Sequence, residues 1–523
     1  MRTWRAVAMS CVWVAMGCGG ALVEAPPSSE PGTTEVSSQE AAEGEVSASW
    51  SHGPPMLSRA RRVDFPGPAF SRFDQENLVE FRGRLYFPAI REDGWRQLWK
   101  SDGTDAGTIV VAEFPPLSRY WDSPLLSLTS TGRQLFFTLA DDAHGSELWV
   151  SDGTGGGTRL VADLTPGPGN STLGPLVAVG GRLFFFRAAG AETGEPRRTE
   201  LWMSDGTATG TVRVRDFGPR TSARFDRVIA RGDTLFFILS RSDGTYELWK
   251  SDGSGAGTLR LRTFDPPPLA YPPYSLRVAG RFVYFIADES AHGSELWRTD
   301  GTVAGTELFE DFTPGPAGSF PQLLDVARGR LFFTVRDSDR AVERLFAVKV
   351  GGCGHCEPKL VTSLPNPFAG RREVYSRITA SATTGEKFFF SQAFYSRGPA
   401  PIHHRLWVTD GTESGTTLLH QALHRSDEYT TELFAVDGLL LFPANIGEFG
   451  NTEPWVSDGT VRGTRLLQDI IPGPRGSIPY AFTRVNDRVF FLASHGDVTY
   501  TLWVVYLRRQ RPCPGAPLIT DAN

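Results

Sequence analysis

The sequence has no long apolar run, little lysine and few methionines. Its one sustained apolar stretch near the start, Ala6 to Met16, is too short to span a bilayer as a helix. A net charge of −6 over 523 residues leaves no basic surface for a general nucleic-acid binder. The excess of arginine over lysine reads as codon usage. Five Met beside 35 Phe and 13 Trp point to aromatic packing in sheets rather than to helical bundles. No segment keeps a helical period. There is no Gly-x-Ser-x-Gly elbow, phosphate loop or His-Glu-x-x-His. No single motif therefore names a chemistry, and an enzyme built on this chain would gather its residues from separate places.

What the chain does have is turns, with 56 Gly and 37 Pro. It also has an export-type start. Arg2 and Arg5 precede the apolar run, which ends in Val14-Ala15-Met16-Gly17-Cys18. A small residue directly before Cys resembles the bacterial lipobox, in which Cys18 becomes the lipidated first residue. Ala15 stands where Leu is more usual. An ordinary cleaved signal and a secreted protein are the alternative. Residues 19 to 56, rich in Pro, Ser and Glu, cannot bury enough surface to fold and read as a tether. The expected organisation is a signal over 1–18, a tether over 19–56, a folded body over 57–508 and a tail over 509–523.

The body is a repeat. Leu-Trp pairs recur at Trp99, Trp149, Trp202, Trp249, Trp297, Trp407 and Trp503, with worn copies at Phe346 and Trp455. The steps between these positions are 50, 53, 47, 48, 49, 61, 48 and 48 residues, which makes nine units. Asp-Gly-Thr or Asp-Gly-Ser follows at Asp102, Asp152, Asp205, Asp252, Asp300, Asp410 and Asp458, and a Gly-Thr pair comes five residues after each Asp. Within a unit, Leu176–Val179 and Arg182–Phe186 flank Gly180-Gly181, a hairpin signal. The Trp strand comes third, and a strand such as Arg159–Leu164 comes fourth. Four antiparallel strands per unit, repeated at this length, predict an all-β fold: a β-propeller of nine blades, or eight if the worn sixth unit is incomplete. A linear solenoid is the competing array.

The chain ends favour the ring. The ninth unit lacks a fourth strand after Trp503. Upstream of the first unit, Arg61-Arg62-Val63-Asp64-Phe65-Pro66-Gly67-Pro68 matches the fourth strands that run into Pro-Gly-Pro at 166–168 and 472–474. Pairing this orphan with the Trp503 strand closes a ring without a free edge.

These residues resemble the bacterial repeat family known for its Glu-Leu-Trp-x-x-Asp-Gly-Thr phrase, over roughly residues 62 to 505. The resemblance implies a secreted or surface protein with no established enzymatic role. It supplies no catalytic residues.

The repeated polar residues have competing readings. Seven aligned Asp could hold calcium, but each turn offers one carboxylate where that cation needs six to eight oxygens. The turn reading is preferred: Asp bonds nearby amides and Gly takes positive φ. No cofactor and no metal site are expected, with calcium as the alternative. Glu147, Glu200, Glu247, Glu295 and Glu453 open the phrase and read as edge-solvated groups or Arg partners. Asp64, Asp163, Asp216, Asp311 and Asp469 read as turn residues at the fourth-strand exit. His144, His292 and His495 stand in separate units, too far apart to share a metal. Cys353-Gly354-His355-Cys356 spells a redox motif in the wrong context, so a disulfide stapling the worn turn is preferred over a reactive dithiol or metal loop. Cys513 is left over.

In a propeller the first–second and third–fourth turns share one face, here the uniform one. The opposite face carries the segments that vary: 115–121 with Tyr120 and Trp121, 266–274 with Tyr271 and Tyr274, 187–199, and 391–404 with Tyr395, His403 and His404. Variable loops on a rigid ring commonly carry binding. The expected function is a non-catalytic envelope-anchored or secreted scaffold, monomeric, that binds an envelope or extracellular protein or glycan. It binds no nucleic acid and meets the membrane only through its lipid. The alternative is a secreted glycan-active enzyme with its site at the central pore.

Overall fold

The computed structural model describes residues 56–508, apart from 67–77, 119–124, 191–196, 266–273, 337–341, 352–355, 369–373, 396–400, 424–431, 446–450, 474 and 495–498. Every regular element among them is a strand. The strands pair into nine antiparallel meanders. Blade 1 comprises Val79–Phe81, Arg84–Ile90, Arg96–Ser101 and Ile109–Phe114. Blades 2 to 8 span 126–162, 172–219, 221–264, 274–310, 322–364, 375–423 and 434–466. The worn sixth unit is a full blade, so the count is nine and not eight. Blade 9 has Tyr480–Val485, Arg488–Ser494 and Tyr500–Arg508 from the C-terminal end, plus Met56–Leu57 and Arg61–Arg62 from the N-terminal end. Arg61 pairs with Val504 and Arg62 with Trp503. First strands of neighbouring blades lie side by side, and that of blade 9 meets that of blade 1, so the array is a ring.

The repeated aromatics explain the stacking. A Phe of the second strand faces the Trp of the third and stacks on it: Phe137 on Trp149 at 6.5 Å, Phe237 on Trp249 at 6.5 Å, Phe390 on Trp407 at 6.2 Å. A Phe at the end of the preceding blade's fourth strand then meets that pair edge-on. Phe114 does so with Trp149 at 5.4 Å, Phe217 with Trp249 at 5.1 Å and Phe264 with Trp297 at 5.3 Å. Edge-to-face and offset-stacked contacts are the favoured geometries of aromatic rings. These three interfaces are each sealed by three rings from two blades, whereas Leu164 and Leu364 take the place of the edge-on ring beside Trp202 and Trp407. The N-terminal strand seals the interface of the last blade with the first: Phe65 meets Trp99 of blade 1 at 4.9 Å.

Candidate functional site

The Asp-Gly-Thr turns form one network copied around the ring. In blade 2 the Asp152 Oδ1 accepts the Thr154 N–H at 2.9 Å and its hydroxyl at 2.7 Å. Thr154 Oγ1 accepts Gly157 N–H at 3.0 Å, and Thr158 Oγ1 donates to the Thr154 carbonyl at 2.7 Å. Ser151 Oγ accepts Gly153 N–H and lies 2.8 Å from Thr158 Oγ1. With the Thr158 proton already committed, Ser151 is the donor of that last bond. The Asp–Thr (or Asp–Ser) pair recurs at Asp102, Asp205, Asp252, Asp300, Asp410 and Asp458. The hydroxyl and amide of Thr154 hold the Asp152 carboxyl below the usual range.

The packing also accounts for the Gly-Thr pair. A Cβ on Gly157 would lie 2.1 Å from Asp152 Oδ1. Gly157→Ala is expected to cost about 2 kcal/mol by overpacking, and Asp152→Ala about 1 kcal/mol in lost turn bonds. The double variant should cost less than the sum, because removing the carboxylate makes room for the methyl. Urea denaturation of the four proteins checks this.

The phrase-opening glutamates are not edge-solvated. All five are buried. They sit at the end of the third strand remote from the Asp-Gly-Thr turn, where the chain crosses to the next blade, and they divide into two kinds. Where a Pro-Gly-Pro exit follows, the crossing folds back over the carboxylate. Glu295 accepts Ser319 Oγ–H at 2.6 Å and Ser319 N–H at 2.8 Å. Glu453 accepts Ile470 and Ile471 N–H at 3.1 Å each and Ser477 Oγ–H at 2.6 Å. Glu147 accepts Leu164 N–H at 3.1 Å. Blades 3 and 4 lack that exit, and cations fill in. Glu200 pairs with Arg213 at 2.8 Å and accepts Trp202 Nε1–H at 2.9 Å. Glu247 pairs with Arg260 at 2.8 Å and accepts Trp249 Nε1–H at 3.0 Å.

Their charges differ accordingly. Burial pushes the Glu295 carboxyl up to about 7, against its Ser319 and Phe312 donors and with help from Asp311. Burial raises Glu147 and Glu453 too. Burial opposes ionisation of Glu247 as well, but Arg241 and Arg260 outweigh it and its pKa falls. The Arg half of the sequence reading holds for these two blades. Capping of a crossing by a buried carboxylate was missed. Its signal was present in the coincidence of Glu with Pro-Gly-Pro in the same units.

The other singled-out residues stay local. Asp163 Oδ2 accepts Gly167 N–H, and Asp216 Oδ1 accepts Gly218 N–H. His144 pairs with Asp141 and His292 with Asp311, each at 2.9 Å. Among the described residues no three His, Cys, Asp or Glu side chains converge on one point. Cys356 is disulfide-bonded, and Cys353, Cys18, His495 and Cys513 lie outside the described residues. So do Tyr120, Trp121 and Tyr271. Tyr274 and Tyr395 fall at strand ends instead of loops, in blades 5 and 7. Tyr395 stacks on Tyr375, its cross-strand partner, at 5.3 Å.

No protein-family model matches the chain, and no curated protein matches it. Solved structures similar to it include oligopeptidase B from Leishmania major, at 11% identity over 73% of this chain and 53% of that one, TM-score 0.40. Prolyl oligopeptidase B from Galerina marginata is 13% identical over 73% and 55%, TM-score 0.39. The β-propeller domain of the Trilobed protease from Pyrococcus furiosus is 13% identical over 64% and 93%, TM-score 0.35. This chain spans about half the length of the two peptidases. The class defined by the strand pairing is a nine-bladed β-propeller, and these likenesses assign no activity to it.

Proposed function

We propose that the chain is a non-catalytic binding scaffold of the Glu-Leu-Trp-x-x-Asp-Gly-Thr kind, exported and held at the bacterial envelope through a lipid on Cys18. One observation carries the reading. The repeated carboxylates, the groups best placed to do chemistry, are spent inside the ring on turns, crossings and Arg or Trp partners. Binding then falls to the face where the repeat is absent, with an envelope or extracellular protein or glycan as ligand. Calcium is expected to leave the melting temperature unchanged, because each turn Asp already has its Oδ1 engaged.

Two experiments test this. Palmitate labelling in a bacterial host should mark the wild type and not Cys18→Ala, which should move from the membrane to the soluble fraction. Immobilised mature chain should retain an envelope component without altering it. Release of new reducing ends from any glycan would favour the enzyme reading instead.

A further inference from the structure

Among the described residues only two aromatic rings are exposed, Phe320 at 54% and Tyr375 at 41%. The other large aromatics among the described residues are buried or half-buried. These two stand at the entries to the first strands of adjacent blades, 6 and 7, on the variable face. Gln322, two residues after Phe320, donates from Nε2 to the carbonyl of Ile378, three residues after Tyr375, at 2.8 Å. Both rings therefore belong to one sector of that face, where the first strands of blades 6 and 7 meet.

Each ring is held where it is. Tyr395 stacks on one side of Tyr375 with the planes 13° apart, which leaves the other side to solvent. Phe320 has φ +48°, a left-handed conformation costly for a bulky side chain. Ile478 occupies the same turn in blade 9 with φ +47°, but there the side chain packs against the core. In blade 6 no such burial offsets the strain. Arg377 lies two residues beyond Tyr375 on the same, exposed side of the strand. It has no hydrogen-bond or ion-pair partner among the described residues.

We propose that Tyr375, backed by Tyr395, together with Phe320 and Arg377, forms a binding site for an acidic saccharide on the variable face between blades 6 and 7. A pyranose ring presents a flat C–H face that stacks on an aromatic ring, and a hexuronate carboxylate meets a guanidinium in a charge-assisted pair. A neutral sugar offers Arg377 only hydroxyl acceptors, and a cation with no ion-pair partner among the described residues fits an anionic ring ligand better. The inference rests on the scaffold reading and names its ligand class.

The test is calorimetric titration of the mature chain with hexameric oligogalacturonate and with a neutral cello-oligosaccharide of equal length. The acidic ligand should bind at least about tenfold tighter than the neutral one, roughly 1.4 kcal/mol. Tyr375→Ala and Phe320→Gly should each weaken it about tenfold. Arg377→Ala should reduce it to the affinity of the neutral ligand. Phe320→Gly should melt no lower than wild type, since Gly accepts positive φ. That separates lost binding from lost folding. Equal binding of both ligands, or variants that bind as the wild type does, would overturn the site. Absence of saccharide binding alongside retention of an envelope protein would overturn the ligand class and leave the scaffold reading standing. Cleavage of the ligand would overturn the scaffold reading itself.

Discussion

A chain lacking residues 1–66 is expected to lose the closed ring, whereas one lacking only 1–55 keeps it. The longer deletion removes the strand pairs of Met56 and Leu57 with Arg508 and Leu507, and of Arg61 and Arg62 with Val504 and Trp503. It withdraws Val63, which is buried between the last blade and the first, and Phe65, which seals Trp99. Burial of two such side chains stabilises by about 4 kcal/mol. It also loses the Ala60 N–H bond to Gln468 and the Arg61–Asp105 pair. The Trp503 strand is left as an unpaired edge, a template for association. Against a typical total of about 5–15 kcal/mol, the loss is a large fraction. Urea midpoints should fall for the longer deletion alone, and light scattering should show concentration-dependent association. Equal midpoints would mean that the ring does not depend on its N-terminal strand.

The second large effect is one of pH. Glu295 titrates near 7 in the fold against 4.5 for the free side chain. A raised carboxyl favours the protonated fold, so its contribution is fully present below about pH 4.5. It is lost as the pH rises through 7, by about 3 kcal/mol in all. Glu147 and Glu453 are raised as well and act in the same direction. The propeller should therefore melt at a higher temperature near pH 5 than near pH 8. Glu295→Gln keeps an acceptor for Ser319 without the charge and should flatten that slope. Glu247→Gln should instead destabilise at neutral pH, because Arg241 and Arg260 lose their counter-ion. A slope unchanged in Glu295→Gln would show that this carboxylate stays ionised throughout.

Much of the fold can be read from the chain because its interfaces repeat. Trp149 and its copies recur with the blade period, and the orphan strand before Phe65 is recognisable as a displaced fourth strand. The buried glutamates were less legible. Glu147 is the third residue of its strand, and a carboxylate among Leu and Trp reads as solvent-facing until the crossing that covers it is seen. The covering Ser171, Ser319 and Ser477 lie 24 residues downstream of their glutamates in blades 2, 5 and 8. That spacing is visible only once those three units are aligned apart from the rest. Phe320 was passed over for the opposite reason. Nothing in Gly-Ser-Phe-Pro marks a left-handed, exposed phenylalanine, while Gly-Ser-Ile-Pro in blade 9 has the same backbone with its side chain tucked in. Exposure there is decided by packing between blades.

The central claim is that the repeated phrase builds the ring and that recognition belongs to the non-repeated face. It is tested most directly by measuring, on the same preparations, melting temperature and retention of the proposed envelope ligand. The comparison sets turn variants Asp152→Ala and Asp252→Ala beside face variants Tyr375→Ala and Phe320→Gly. The account predicts that the turn variants lower the melting temperature and keep the ligand, while the face variants lose the ligand and keep the melting temperature. Ligand lost from folded Asp152→Ala, with full retention by Tyr375→Ala and Phe320→Gly, would contradict it.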